Sequence, residues 1–586
     1  MLALAAVAFA VGAIVGARSG ASPQRTLAEG YVRAWSLGDY ATMYADIDAA
    51  SRRSVSATEF GSAHRQALTT ATATRVRVAG AAHEGPGGVV TVPVRVSTRL
   101  FGELSLDFAL KVSETGGEGP RVSWSRSLVF PGLRAGEQLT RRTTLPQRAA
   151  LLARDGSVLA SGSAGSGEGQ STEATRSSPL GETANAVIGT VGAIPADRRQ
   201  ALEAVGVPAQ AVVGLSGMEL ALDDRLRGTP GGELLAGSRV LGAVIARAAT
   251  PVRTSVSPGL QRAAVAALGG VYGGIVAIAP ATGQILAVAG IGLDGLQPPG
   301  STFKIITVAG VLQAHLASTH TVFPYATSTT LDGVQLHNAN GEECGGTLAN
   351  AFAVSCNSVF SPLGVKLGSA RLVEAAERFG FNQETGLAGA PKSTLPPAGQ
   401  IQGELDIGST AIGQGQVLAT PLQMATVAAA IADGGRRPRP TFLANAHADL
   451  TARATSASVA HTVRQLMEGV VRSGTGTAAA IPGVVVAGKT GTAELKAACT
   501  ASSSSSSEGA VGETTTTETT GGEATKEACR GGETESSNTD AWFAAFAPAL
   551  HPRVAVCVML VKDGAGGATA APVARQVIEA ALQAGL

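Results

Sequence analysis

The sequence predicts a multidomain α+β protein, and three observations support this fold class. The chain has 586 residues, 45% of them hydrophobic and 15% charged, which is too long for a single hydrophobic core. Apolar residues recur at helical spacing after Pro23, whereas residues 92–96 alternate as they do in a strand. Composition also changes along the chain, because residues 495–538 form a low-complexity tract of Ser, Thr, Gly and Glu. Separate folded units are therefore expected.

The first unit, residues 22–135, is predicted to be a small α+β domain. Ser22 offers a capping hydroxyl and Pro23 suits the first helical position, so a helix of about four turns is expected to follow. A break at Gly38 precedes a second helical stretch, and strands with period two are expected around residues 92–96 and 104–108.

Residues 1–17 are apolar or glycine throughout. A helix of this length covers roughly 25 Å, slightly less than the ~30 Å hydrocarbon core of a bilayer. We expect a single membrane anchor whose start has been truncated. A buried helix of the first domain is the alternative. A literal positive-inside count, from Arg18 and Arg25, would place the body in the cytoplasm, but we set this count aside because the expected truncation removes the residues before the apolar run.

The middle of the chain, residues 138–250, has a less regular pattern. Asp155-Gly156 indicates a hairpin turn, residues 161–178 a flexible loop, and residues 213–232 a helix ended by Thr-Pro-Gly-Gly. From about residue 255 the pattern changes to a helix and a strand hairpin that open the largest unit, 255–586. Residues 495–538 are expected to be an insertion in that unit.

Charge and metal-ligand patterns favour neither nucleic-acid binding nor a metal site. The formal net charge is +1, so the overall balance does not indicate a nucleic-acid partner. The histidines and acids lack a ligand spacing such as His-Glu-x-x-His. We therefore predict no metal and no cofactor. Five cysteines in so long a chain do not form a disulfide framework.

The first candidate catalytic motif is Ser301-Thr302-Phe303-Lys304. Residues three apart on a helix share one face, so the Lys304 amine can reach the Ser301 hydroxyl. A serine is a poor nucleophile until a neighbour accepts its proton, and a desolvated lysine beside another cation can do so. An ordinary surface lysine on a core helix is the alternative.

Two further motifs follow in the chain. Ser355-Cys356-Asn357 supplies a hydroxyl that could relay a proton and an amide that could hold Lys304 or a substrate carbonyl. A helix cap of small polar residues is the alternative. The third motif is Lys489-Thr490-Gly491-Thr492, which after a strand could bind a carboxylate with Lys489, Thr490 and Thr492. A strand end with a turn is the plain alternative.

In this order the three motifs resemble those of the serine penicillin-recognising enzymes. The segments APATGQILAVAG (279–290), PPGSTFKIIT (298–307) and AIGQGQVLATPLQMA (411–425) are similar to those of a penicillin-binding transpeptidase domain. The resemblance implies an α/β sandwich with an antiparallel sheet, like that of serine beta-lactamases. It also implies that Ser301 attacks the penultimate D-alanine of a stem peptide, with Lys304 as base. The oxyanion hole would be the backbone N–H groups of Ser301 and Thr492.

The upstream regions complete this resemblance. Residues 22–135 resemble the NTF2-like domain of methicillin-resistance-type, class B penicillin-binding proteins, and residues 138–250 their dimerisation region. The implied function is cross-linking of peptidoglycan stem peptides on the extracytoplasmic side of the cell membrane. The implied partners are stem peptides, beta-lactams and cell-wall synthesis or division proteins. A carboxypeptidase or beta-lactamase-type hydrolase, and a non-turnover beta-lactam sensor, are the alternatives.

The remaining cysteines divide into two cases. Cys499 and Cys529 flank most of the insertion and in an oxidising exterior could bridge its base, with two unpaired thiols as the alternative. Cys356 lies inside the second motif, where a reactive thiol is conceivable. We expect instead a small buried filler, since no histidine motif accompanies it.

Overall fold

The computed structural model describes residues 22–114, 119–162, 176–445, 452–494 and 538–586. The predicted anchor at 1–17 and the predicted bridge between Cys499 and Cys529 lie outside these residues. Most of the predicted loop 161–178 and of the insertion lies outside them as well. Among the described residues, no helix is both long and apolar enough to cross a bilayer.

The N-terminal unit packs helices against a twisted antiparallel sheet. Its helices are α1 (Pro23–Leu37), α2 (Tyr40–Asp46), α3 (Ala49–Ser54) and α4 (Ala57–Thr70). Its strands are β1 (Ala73–Val78), β2 (His83–Glu84), β3 (Val89–Thr98), β4 (Glu103–Glu114) and β5 (Pro120–Val122). Strand order is β1-β3-β4-β5, with β2 paired to β3. Ser22 caps α1 as the sequence predicts, and Trp35 packs edge-on against Phe108 in the core.

The middle unit consists of short elements. Its strands are β6 (Leu139–Thr144), β7 (Leu151–Leu152), β8 (Val158–Ala160), β9 (Val191–Ala193), β10 (Val212–Gly214), β11 (Gly231–Ala236), β12 (Arg239–Val244) and β13 (Val252–Arg253). Its helices are α5 (Asn185–Ile188), α6 (Ala196–Ala204), α7 (Gly217–Ala221) and α8 (Asp223–Leu226). The hairpin predicted at Asp155-Gly156 joins β7 to β8.

The single helix predicted for residues 213–232 is wrong. The segment begins in strand β10, passes through α7 and α8, and ends in β11. Glycine explains the first break, because a Cβ at Gly214 would collide with the backbone carbonyl of Glu219. Gly217 adopts a left-handed φ of 55°, which side-chain-bearing residues rarely adopt.

A buried cluster of charges holds the middle unit together. Arg148 Nε lies 2.6 Å from Glu219 Oε2, and its Nη1 lies 2.8 Å from Asp223 Oδ1. Arg176 and Arg227 add further contacts to the same two carboxylates, at 2.7 Å each. All four carboxylate oxygens thus have a guanidinium partner, as burial of these charges requires.

The C-terminal unit contains the remaining elements. Its helices are α9 (Pro258–Leu268), α10 (Lys304–Gln313), α11 (Leu348–Ala353), α12 (Asn357–Leu367), α13 (Ser369–Arg378), α14 (Gly403–Ala411), α15 (Pro421–Ala432), α16 (Ala457–Ser473) and α17 (Ala570–Gln583). Its strands are β14 (Gly273–Ile278), β15 (Ile285–Gly290), β16 (Val322–Ala326), β17 (Ser328–Leu331), β18 (Val334–His337), β19 (Cys344–Thr347), β20 (Ala487–Glu494), β21 (Thr539–Ala547) and β22 (Val554–Leu560).

The central sheet of this unit is antiparallel, with strand order β15-β14-β22-β21-β20. Helices α9 and α17 cover one face. Helix α15, apolar along nearly its whole length, lies against the other face within the helical lobe. The architecture is the sandwich that the sequence predicts. It leaves β20 at the edge of the sheet, facing the helical lobe.

The buried charge cluster generates a stability prediction. Arg148→Met should lower the free energy of unfolding of the middle unit by about 3–5 kcal/mol, because Glu219 and Asp223 would remain buried with fewer cationic partners. Urea-induced unfolding measures this change. Arg77→Met, which removes a surface pair with Glu103 in the N-terminal unit, is the control for loss of an exposed ion pair and should lower the free energy of unfolding of that unit by about 1 kcal/mol or less. Equal losses in both variants would contradict the assignment.

Candidate active site

Ser301 lies in a 3₁₀ turn, Gly300–Phe303, that leads directly into helix α10. Gly300 has a left-handed φ of 51°, and a Cβ there would lie 2.7 Å from the carbonyl oxygen of Thr492. Its amide donates to the carbonyl of Gly413 at 3.0 Å. Glycine therefore lets the serine turn approach strand β20 closely.

Lys304 is fully buried and lies at the centre of the site. Its Nζ is 2.9 Å from Ser301 Oγ, 2.7 Å from the carbonyl oxygen of Ser355, and 2.6 Å from Asn357 Oδ1. A carbonyl and an amide oxygen can only accept hydrogen bonds, so two N–H groups of Lys304 are used by them. The third position of the amine faces the Ser301 hydroxyl.

The environment of Lys304 favours its neutral form. Burial, together with the positive charge of Lys489, holds the pKa of Lys304 well below its usual range. A neutral amine has two N–H groups and one lone pair. Since Ser355 and Asn357 take the N–H groups, the lone pair is left to accept the proton of Ser301 Oγ.

Ser355 and Asn357 lie at the turn between helices α11 and α12. Ser355 has a φ of 60°, an uncommon conformation for a residue with a side chain. The Asn357 amide donates to the carbonyl of His337 at 2.9 Å, which orients its Oδ1 toward Lys304. The Ser355 hydroxyl lies between the two lysines, 2.8 Å from Lys489 Nζ and 3.4 Å from Lys304 Nζ.

Lys489 is the second fully buried lysine, on edge strand β20. Its Nζ donates to Ser355 Oγ and, at 3.0 Å, to the carbonyl of Thr490. Burial lowers the pKa of Lys489 to about 7. The two lysines and Ser355 thus form one hydrogen-bonded chain that starts at Ser301.

The rest of the third motif lines the same edge. A Cβ at Gly491 would lie 2.7 Å from the carbonyl oxygen of Pro299, so only glycine fits between β20 and the serine turn. The Thr492 hydroxyl accepts from the amide of Gly566 at 3.3 Å. The structure therefore brings together all the predicted site residues, from Ser301 to Thr492.

Thr475 belongs to this arrangement and was missed from the sequence. Its hydroxyl lies 2.6 Å from that of Thr490, and its amide donates to the carbonyl of Ala353. It therefore connects β20 to the end of α11. The surrounding sequence, Ser473 to Thr477, is a common pattern of small residues and carried no signal that could have identified it.

Cys356 forms a disulfide with Cys344 of strand β19, which corrects our expectation of a free buried filler. The residue is buried as expected, but its sulfur is bonded across the fold. The bridge attaches the middle of the second motif to an adjacent strand, with Ser355 on one side and Asn357 on the other. Among the described residues, Cys557 is the free cysteine.

Comparison with known families assigns each region. The penicillin binding protein transpeptidase domain matches residues 273–579, the penicillin-binding protein dimerisation domain residues 169–253, and the NTF2-like N-terminal transpeptidase domain residues 22–137.

Individual relatives agree with this assignment. The peptidoglycan D,D-transpeptidase PbpA of Mycobacterium tuberculosis is 33% identical over 57% of this chain and 72% of its own length. The D,D-transpeptidase domain of an Eggerthella lenta enzyme has 29% identity and a TM-score of 0.56, covering 75% of this chain and 99% of that one. The penicillin G acyl-enzyme of M. tuberculosis penicillin-binding protein A has 27% identity and a TM-score of 0.54, covering 75% and 100%. The chain therefore belongs to the penicillin-binding protein transpeptidase family and, with its NTF2-like and dimerisation regions, to class B.

Proposed function

We propose that the protein is a peptidoglycan D,D-transpeptidase that works through an acyl-enzyme on Ser301. The observation that carries the proposal is the hydrogen-bonded chain from Ser301 through Lys304 and Ser355 to Lys489. It supplies a nucleophile, a base and a proton relay in one buried network. A relative named D,D-transpeptidase and a related penicillin G acyl-enzyme support the same chemistry.

Acylation begins with proton transfer from Ser301 Oγ to the neutral amine of Lys304 as Oγ attacks the carbonyl of the penultimate D-alanine. The carbonyl oxygen gains negative charge. The backbone N–H groups of Ser301 and Thr492 are our candidates to stabilise it, because Gly300 brings the two segments together. A tetrahedral intermediate forms on Ser301.

Collapse of this intermediate needs a proton on the leaving nitrogen. Ser355 is placed to donate it, because its hydroxyl can be reprotonated by Lys304 and lies within hydrogen-bond distance of Lys489. The C–N bond breaks and the terminal D-alanine leaves as an amine. An amine of a neighbouring strand then attacks the ester, and the same groups return the proton to Ser301 Oγ.

The donor carboxylate is assigned to Lys489, Thr490 and Thr492. Protonated Lys489 provides charge, and the Thr490 hydroxyl is oriented by Thr475. This division separates the two lysines by role, since Lys304 must be neutral and Lys489 charged. Beta-lactams carry a comparable carboxylate and would occupy the same position.

We further propose that the protein acts on the extracytoplasmic side of the membrane, anchored by residues 1–17. Peptidoglycan is the substrate of the named relatives, and the site contains a disulfide. Disulfides persist in oxidising compartments. Cell-wall synthesis or division proteins are the expected protein partners.

The decisive experiment is a two-step assay on the purified protein. Fluorescent penicillin should label Ser301, and a donor stem peptide with a D-amino-acid acceptor should give the exchanged product. Release of free D-alanine without exchange would instead identify a carboxypeptidase. Labelling without any turnover of the stem peptide would indicate a sensor.

Ser301→Ala should abolish covalent penicillin labelling while leaving the thermal unfolding midpoint unchanged, because it removes a single oxygen from a preformed site. Gel fluorescence after denaturation measures the covalent adduct. Ser458→Ala, a change at an exposed serine of α16, is the control and should label normally. Undiminished labelling of Ser301→Ala would disprove the nucleophile assignment.

The two lysines predict the pH dependence of acylation. Burial and the positive charge of Lys489 hold the pKa of Lys304 well below its usual range, whereas Lys489, with a pKa of about 7, loses its charge as the pH rises through that value. The second-order acylation rate with a carboxylate-bearing beta-lactam should therefore fall between pH 6 and 9, in buffers corrected for uncatalysed hydrolysis. A carboxylate-esterified analogue should show a flatter profile. A rate that rises through this range would reverse our assignment of the charges.

The bridge between Cys344 and Cys356 should support catalysis by positioning Ser355 and Asn357. Cys344→Ala should lower the acylation rate by about 10- to 100-fold, since small misplacements of catalytic groups are costly. Stopped-flow fluorescence with penicillin measures the rate. Cys557→Ala, which alters the buried free cysteine, is the matched control. A Cys344→Ala protein that acylates at the parent rate would show that the bridge is not needed.

A further inference from the structure

A cavity of about 220 Å³ lies in the helical lobe, apart from the three catalytic motifs. It is formed where α13 ends, where α15 begins, and along the extended segment 437–440. Its polar lining residues are Glu384, Thr385, Gln423, Thr426, Arg437 and Arg439. The catalytic groups described above are absent from its lining.

Two arginines of this lining have no carboxylate partner among the described residues. Arg437 is half-buried, and its guanidinium donates to Gln383 Oε1 at 2.8 Å. Burial lowers the pKa of Arg437, with no acid opposing the shift. Glu384 is the acid of the lining, and its side chain is 83% exposed and lies 3.8 Å from Lys392. Among the described residues, this acid therefore leaves both guanidinium groups without an ion pair.

Two glycines leave room for these guanidinium groups. A Cβ at Gly380 would collide with Nη1 of Arg437, and one at Gly386 would collide with Nε of Arg439. Both glycines adopt left-handed φ values, 107° and 76°. Each guanidinium therefore lies close to a glycine, where a side chain would have to displace it.

Three other polar side chains of the lining make hydrogen bonds within the protein. Gln423 Nε2 donates to the carbonyl of Phe379, and the Thr426 hydroxyl donates to the carbonyl of Leu422. The Thr385 hydroxyl lies 3.2 Å from the carbonyl oxygens of Leu387 and Ala390. The arginine N–H groups carry the positive charge of the lining, and they match the oxygens of carboxylate or phosphate.

We propose that this cavity is a second binding site, for a small anion or anionic group that presents several oxygens, either a phosphate or a carboxylate. Its volume admits a compact group and not a whole glycan chain. The site does not depend on the proposed transpeptidase activity. Phosphate esters and stem-peptide carboxylates share the required chemistry, so the experiment must separate them.

The test is calorimetric titration of the purified full-length protein at low ionic strength, with inorganic phosphate in one arm and malonate in the other. Saturable binding of either probe is expected, and the arm that saturates identifies the chemistry. Arg437→Gln and Arg439→Gln should each weaken binding by about tenfold or more, since each removes charge-assisted hydrogen bonds.

Arg436→Gln is the matched control, because this adjacent arginine is already paired through two hydrogen bonds with Asp433. It should bind the probe as the parent does. Penicillin labelling at the parent rate verifies that each variant is folded, and Arg439, being exposed, provides a variant with little risk to folding. The proposal would be overturned if neither phosphate nor malonate bound saturably. It would also be overturned if Arg436→Gln weakened binding of the probe as much as Arg437→Gln and Arg439→Gln do.

Discussion

The site depends on two lysine ammonium or amine groups buried side by side, with no carboxylate between them among the residues that the structure describes. Each has an aromatic ring nearby, since Lys304 Nζ lies 5.6 Å from the centre of Phe360 and Lys489 Nζ lies 5.6 Å from that of Phe352. Desolvation penalises charge on both, and mutual repulsion penalises it further. The least costly arrangement keeps one lysine neutral, and that asymmetry gives the site a base and a cation from the same residue type.

The surrounding fold maintains this asymmetry. Lys304 contacts oxygens that only accept, which suits an amine that donates twice and keeps its lone pair for Ser301. Lys489 lies on the edge strand, where a carboxylate can reach it. The glycines at 300 and 491 bring the serine turn against that strand, so the distances between motifs are fixed by backbone packing and not by flexible side chains.

Much of this arrangement could be predicted from sequence, because the three motifs carry chemistry in a recognisable order and spacing. The sandwich fold and its antiparallel sheet followed from the same resemblance. Other features depend on contacts between distant segments. The role of Thr475 becomes visible only in the fold, where α16 meets β20 and the threonine contacts Thr490. The partner of Cys356 becomes visible only where β19 folds back beside α12. The helix predicted for residues 213–232 was wrong. Its apolar residues have helical spacing, but the chain folds back so that Asp223 accepts a hydrogen bond from the amide of Gly214 and pairs with the arginines of the buried cluster.

The bridge between Cys344 and Cys356 has a consequence for how the enzyme matures. Cytoplasmic thiols are kept reduced, so this bond is expected to close in an oxidising compartment. A chain folded in the cytoplasm would contain every catalytic residue but would lack the covalent link between the second motif and β19. If the protein acts outside the cytoplasm as proposed, completion of the site would be coupled to export, and a cross-linking enzyme would reach full competence only where its substrate is found.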